Sequence, residues 1–496
     1  MWAWATSLLC SAWWLMVVLP AVSSQGFLPV NSSQAFPAGV PDGQSGPGLS
    51  WADVDQDNLL DLFLFGGGGW LYHNDGNWTF SSITTAPFPL FPIYLGNSKW
   101  ADFNQDGFPD LLVWGESDIP HMDFAMLLRN DEGGRNFTDV TNETLPALAA
   151  CQHTSCVMEW GDFDGDQRVD LFVSTGLGAS TVCLNNGTQP TTFTEVNVSA
   201  TFAGVILVSY GEVRAGDFDG DGKDDLVWVM NNSSGLYRSN GDGTFTDVTK
   251  SIMAEGSSLP SLSQSSADWG DVNGDQRLDL VVCGRASTLS GAFSAVFVQT
   301  EEGQFRDSTA ELFPGDLLPQ VRACAVRFVD FDGDALLDLA ITGEDPSVYV
   351  YYGALLRNNG VIFEDVTDVE FSSPPPLPLQ FENRMEWVDV DGNRSPDFSS
   401  FNSDGVLLQR NTRAFPEDES SSSSSSSSQP SSSSSTSSSP ESNESDDGDD
   451  DLWWQVTVPV VVVVLVALCV VALLVVMLVN RKKKKRKQKS KSEQLL

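Results

Sequence analysis

The chain has 496 residues, with 67 Asp and Glu against 27 Lys and Arg, a formal charge of −40. A surface so acidic repels phosphate, which disfavours nucleic acid as a partner. Only three histidines occur (His73, His121 and His153), none beside a nucleophile motif, so the sequence carries no sign of an enzyme site.

Residues 1–24 are apolar and end in small residues, the pattern of a secretory signal peptide, although the usual basic n-region is missing. The next 392 positions, 25–416, are organised by one repeated motif. It reads Asp-x-Asp/Asn-x-Asp/Asn-x-x-x-Asp and occurs seven times at intervals of 49 to 60 residues. The ladder positions are Asp53, Asp55, Asp57 and Asp61; Asp102, Asn104, Asp106 and Asp110; Asp162, Asp164, Asp166 and Asp170; Asp217, Asp219, Asp221 and Asp225. The series continues with Asp271, Asn273, Asp275 and Asp279; Asp330, Asp332, Asp334 and Asp338; and Asp389, Asp391, Asn393 and Asp397.

Oxygens at positions 1, 3, 5 and 9 of a tight loop converge on a hard cation, and so many carboxylates favour calcium over magnesium. The sequence therefore predicts up to seven Ca2+ ions with a mainly structural role. An EF-hand is excluded, because it needs a bidentate Glu at position 12 between two helices. Position 12 here is Leu64, Val113, Val173, Trp228, Val282, Ile341 or Ser400. The segments after each ladder (DLFLFG, DLLVWG, DLVVCG) are short, apolar and end at Gly, which reads as strand.

Each unit continues with a hairpin pattern such as LLRNDEGGRNFTDVT (127–141) or LYRSNGDGTFTDVT (236–249). With the strands flanking the ladder this gives four strands per unit, and seven such units predict an all-β, seven-bladed β-propeller. The stray FLPVNSSQAF (27–36) resembles the last hairpin of a unit and is expected to complete the final blade.

The DxDxDGxxD loops inside seven repeats resemble the FG-GAP/VCBS repeats of integrin α-chain propellers and of the T-cell immunomodulatory protein family, across roughly residues 25–416. That resemblance implies a metal loop joining the first two strands of each blade and an integrin-like role in cell adhesion. The Phe-Gly half of the family element survives only at Phe65-Gly66, and the single-propeller membrane proteins are the closer match.

Outside Cys10 and Cys469, five cysteines remain. Cys151 and Cys156 are spaced for a small disulfide loop in an oxidising compartment, and the odd count leaves at least one thiol unpaired or intermolecular. Cys183 and Cys283 read as buried apolar residues. Glycosylation sequons stand at Asn31, Asn77, Asn136, Asn142, Asn186, Asn197, Asn231, Asn232 and Asn443. A further one at Asn393 conflicts with metal ligation.

Residues 417–452 are Ser-rich and then acidic, and cannot bury a core, so they read as a disordered stalk. Residues 456–479 are uncharged and mostly Val and Leu, about 36 Å as a helix and enough to span a bilayer. The basic stretch within 480–496 belongs on the cytoplasmic side, touching anionic lipid. The chain is thus expected to be a single-pass type I membrane protein, in the plasma membrane or secretory pathway, with its propeller extracellular or lumenal. Its expected ligand is an extracellular protein; a lectin-like propeller that binds glycan is the alternative. Irregular insertions at 116–124 and 251–267 favour a single protein site over repeated sugar pockets.

Overall fold

The computed structural model describes residues 27–413, apart from 38, 41–47, 67, 84–92, 118–121, 132, 135, 153–155, 176–178, 189, 203–210, 231–233, 287–290, 316, 349, 372–384 and 403–404. The readings of residues 1–24, 417–452, 456–479 and 480–496 fall outside this set. Among the described residues no helix is long and apolar enough to cross a membrane.

The described residues form seven antiparallel sheets of four strands, the expected seven-bladed propeller. Blade 1 comprises Gly48–Ala52, Asp61–Phe65, Gly69–Asn74 and Phe80–Ile83. Blades 2 to 6 repeat the plan, their first strands being Ile93–Ala101, Cys156–Gly161, Glu212–Gly216, Leu262–Gly270 and Arg322–Val329. Blade 7 has Met385–Val388, Asp397–Asn402 and Gly405–Asn411, and takes its fourth strand from Phe27–Pro29. In that strand Phe27 pairs with Asn411 and Pro29 with Gln409. Phe27 is fully buried, stacked on Phe371 at 4.9 Å and edge-on to Trp387 at 5.6 Å.

The described residues share no common core. Each pair of neighbouring blades shares its own apolar cluster, seven in all among the described residues. This explains the unbroken apolar runs of the second strands, which are covered on both faces. In blade 1, Leu62 and Leu64 face blade 7, while Phe63 and Phe65 face blade 2.

The recurring Asp-x-Thr after the fourth strand also has a local cause. Thr141, Thr249, Thr309 and Thr367 each accept the amide of a third-strand residue at 2.9–3.0 Å. Each also donates its own amide to the Asp two residues before it, at 3.0 Å. These threonines start four-residue helices that link one blade to the next.

The first strands of neighbouring blades touch around the axis, where polar side chains meet. Ser50 and Ser98 share a hydrogen bond of 2.8 Å, and Lys99 pairs with Glu159. Glu212 lies 2.6 Å from Arg214 and 3.5 Å from Arg327, and accepts the Ala267 amide at 3.0 Å. Burial pushes Glu212 up, but Arg214 and Arg327 outweigh it and hold the group at about 2.

Three blades depart from the plan. The first strands of blades 2, 5 and 6 run for 9, 9 and 8 residues and carry register shifts at Tyr94/Asn97, Ser263/Ser266 and Arg322/Ala325. Gln264 and Ala323 take left-handed φ of 49° and 47° at two of these bulges.

Cys151 is bonded to Cys156, with Cα atoms 5.8 Å apart. The reading of Cys283 is corrected: it is buried but bonded to Cys324, with a Cα separation of 6.2 Å, joining blade 5 to blade 6. The partners lie 41 residues apart, so spacing gives no hint, and only the abutting of two blades brings them together. Cys183 is the free, buried thiol among the described residues.

Candidate functional site

The seven ladders form seven loops of one backbone shape, each between the first and second strands of its blade. At position 4 the chain is left-handed throughout, at Gln56, Gln105, Gly165, Gly220, Gly274, Gly333 and Gly392. Position 6 is left-handed as well, at Asn58, Gly107, Gln167, Gly222, Gln276, Ala335 and Arg394. These two reversals fold the loop so that its carboxylates turn inward. Glycine suits both places, and the non-glycine residues there carry strain.

The carboxylate at position 1 accepts amides from within its own loop. Asp53, for example, accepts those of Asp57 at 3.0 Å and Asn58 at 2.9 Å. Position 5 accepts the amide of position 7, as Asp57 does from Leu59 at 2.9 Å. The ninth residue (Asp61, Asp110, Asp170, Asp225, Asp279, Asp338 or Asp397) opens the second strand and is fully buried in every blade. One of its oxygens accepts the amide of position 2 at 2.9–3.2 Å. The other accepts the amide of the last residue of the third strand at 2.7–2.8 Å.

Burial raises these carboxyls, and the amide bonds only partly offset it. Asp61 stands at about 6, Asp170, Asp225, Asp279 and Asp397 at about 7, and Asp110 and Asp338 at about 8. Oxygens of Asp53, Asp55 and Asp57 come within 4.8 Å of one another, as do those of Asp162, Asp164 and Asp170. The same holds for Asp217, Asp219 and Asp225, and for Asp330, Asp332 and Asp338. At position 3, the Oδ1 atoms of Asp55, Asp332 and Asp391 are buried without any hydrogen-bond partner. Such orphaned oxygens, grouped with others of like charge, fit a divalent cation with oxygen ligands.

The chain's own cations approach the outside of several loops. Lys223 meets Asp221 at 2.5 Å, Arg410 meets Asp391 at 2.8 Å, and Arg168 and Arg277 pair with Asp166 and Asp275. The last loop is the least carboxylate-rich, since Asn393 stands at position 5. Its side-chain oxygen accepts the Ser395 amide at 2.8 Å, and its amide donates to the Asn411 carbonyl at 3.3 Å. That tie disfavours a glycan at Asn393. Asn104 and Asn273 accept the position-5 amide of their loops at 2.9 and 3.0 Å. Of the other sequons, Asn31, Asn77, Asn136, Asn142, Asn186 and Asn197 are exposed; Asn231, Asn232 and Asn443 lie outside the described residues, as do His121 and His153.

One set of residues escaped the sequence reading. The third strands end at Asn74, Asn130, Asn185, Ser239, Gln299, Asn358 and Asn411. Each side chain donates to the position-2 carbonyl of the preceding blade's loop, at 2.6–2.9 Å. Asn74 reaches Val390 in blade 7, so the seven bonds close a circle. The signal was present, a polar residue at a fixed place before the hairpin turn, but it reads as turn chemistry alone.

A search of curated protein sequences finds no match. Among solved structures, the chain is similar to an Agrocybe aegerita lectin that specifically recognises non-reducing terminal N-acetylglucosamine. Identity is 20% over 66% of this chain and 82% of that one, with a TM-score of 0.45. It is also similar to the Pan2 WD40 domain of Neurospora crassa, at 11% identity over 78% and 98% of the two chains and a TM-score of 0.38. The FG-GAP-like repeat model matches residues 53–113, 102–173, 162–228, 217–282 and 271–341. These five overlapping matches cover more than half of the sequence, and the chain belongs to the FG-GAP-like repeat family.

Proposed function

We propose that this chain is a calcium-stabilised propeller held outside the cell by a single membrane helix, where it acts as an adhesion or ligand-binding receptor for a protein. The observation that carries the calcium reading is the set of loops with one backbone shape, converging carboxylates and orphaned buried oxygens. Calcium would supply the positive charge that the buried ninth-position carboxyls lack. The residues do the rest. Positions 1, 3, 5 and 9 present oxygen, and the amide bonds hold the side chains of positions 1, 5 and 9 at a fixed angle.

Support for a protein partner comes from the broken symmetry of the ring. Sugar pockets between blades would recur around all seven junctions, whereas among the described residues the bulged, lengthened hairpins belong to blades 2, 5 and 6. They rise at the end of the first strand opposite the metal loop. There blade 6 exposes Val348, Val350 and Tyr352, and the Cys283–Cys324 bond braces blade 6 against blade 5.

Two measurements test this. Calorimetry of the purified full chain is expected to show a melting temperature that drops on chelation and recovers with Ca2+; an unchanged melt would sink the calcium reading. A glycan array probed with and without calcium is expected to show no saturable binding. Several equivalent sugar sites per chain would replace the protein receptor with a lectin.

A further inference from the structure

We propose that the loop of blade 1 is built for a transition metal of the zinc class, held by Asp55, Asp61 and His73, while the other six loops offer oxygen alone. This rests on the reading of the loops as metal centres and adds a different ion at one of them.

His73 stands in the third strand of blade 1, immediately before Asn74. Its Nδ1 lies 3.1 Å from Asp61 Oδ1 and 3.5 Å from Asp55 Oδ2. Ligands bonded at about 2.0–2.2 Å to a tetrahedral or octahedral ion stand about 2.8–3.6 Å from one another, and both distances fall in that range. Calcium, with bonds of about 2.3–2.6 Å, takes oxygen in preference to imidazole, whereas zinc takes imidazole with carboxylate readily.

The same place in the other blades is filled by Arg129, Leu184, Arg238, Val298, Arg357 and Arg410. Leu and Val have no donor atom, and a guanidinium never gives up its proton to become one. Three of the four arginines face the third-position carboxylate as a fixed counter-charge, at 3.9 Å in Arg238–Asp219, 3.7 Å in Arg357–Asp332 and 2.8 Å in Arg410–Asp391; Arg129 pairs with Asp131 instead, since the third position there is Asn104. Blade 1 replaces that guanidinium with an imidazole, whose ring nitrogen can bond a metal. Asp55 Oδ1, buried and without a hydrogen-bond partner, adds an unmet demand for positive charge at the same spot. The His73 and Asp55 side chains remain 29% and 30% exposed, which leaves room for water as a further ligand.

The test uses the purified full chain in saturating Ca2+, with Zn2+ counted after dialysis and Co2+ as a coloured stand-in. The expected result is one retained zinc per chain and a visible Co2+ band that zinc abolishes. His73→Gln is expected to weaken zinc binding at least about tenfold, with the calcium count and the melting temperature in calcium unchanged. Asp55→Asn serves as a second variant, losing the zinc while still folding. Equal zinc binding by wild type and His73→Gln would overturn the proposal, and so would calcium displacing zinc at parity. The parent reading fails separately, through a calcium count of zero in the same samples.

Discussion

Asp110 and Asp338 lie out of water with both oxygens tied to main-chain amides, and burial lifts each to about 8. In the unfolded chain such a group titrates near 3.9. The folded protein therefore holds the proton more tightly, so these groups add stability below about pH 4 that is lost as pH rises through their folded values. Asp170, Asp225, Asp279 and Asp397 act in the same direction up to about 7. Urea melts of the chelated protein should show lower stability at pH 8 than at pH 5, and added calcium should remove most of that loss. Greater stability at pH 8 without metal would contradict this account. Backbone strain is the other quantity set at single residues. Ala335 holds φ at 67° where Gly107 and Gly222 serve in sister loops, so Ala335→Gly is expected to gain about 1 kcal/mol in the same melts.

Within each blade, the element that matters most after the loop is the end of the third strand. Asn130 donates to Val54 O at 2.8 Å and to Pro109 O at 3.3 Å, one contact across the blade junction and one within the blade. Asn130→Ala leaves buried carbonyls unmet and is expected to cost about 1–3 kcal/mol by chemical denaturation, with the metal affinity of the blade 1 loop lowered as well. Loss of stability with blade 1 metal affinity intact would mean that the bond does not shape that loop. The ladder, strand and hairpin of each unit were legible because they are periodic and local. The role of Asn130 was not, because its partner lies 76 residues away and its type suits a turn equally well. The same limit hid the charged group at the axis. Lys99, Glu159, Glu212 and Arg327 come from four first strands and read singly as breaks in apolar runs. Cys283 and Cys324 follow the same logic, for a junction between blades is invisible to any window shorter than a blade.

At the scale of the ring, stability is shared among seven junctions, and the one between blades 6 and 7 leans on a strand of three residues from the far end of the fold. Phe27 carries most of that strand's apolar contact. Phe27→Ala is expected to cost about 3–5 kcal/mol, seen as an earlier denaturation midpoint, with blade 7 losing amide-exchange protection before the others. Uniform loss of protection around the ring would mean that closure is spread more widely than the packing implies.

The way blade 7 is assembled also bears on mechanical load. Its third strand, Gly405–Asn411, is the last of the described sheets and runs between two antiparallel neighbours, Asp397–Asn402 on one side and Phe27–Pro29 on the other. A pull on the chain beyond residue 411, against a partner gripping the opposite face, runs along this strand. Both ladders must then slide at once, with their hydrogen bonds loaded side by side in shear instead of unzipped singly. Under such a pull Gly405–Asn411 is the loaded strand, and the blade built from both ends of the described fold is the one placed to bear tension.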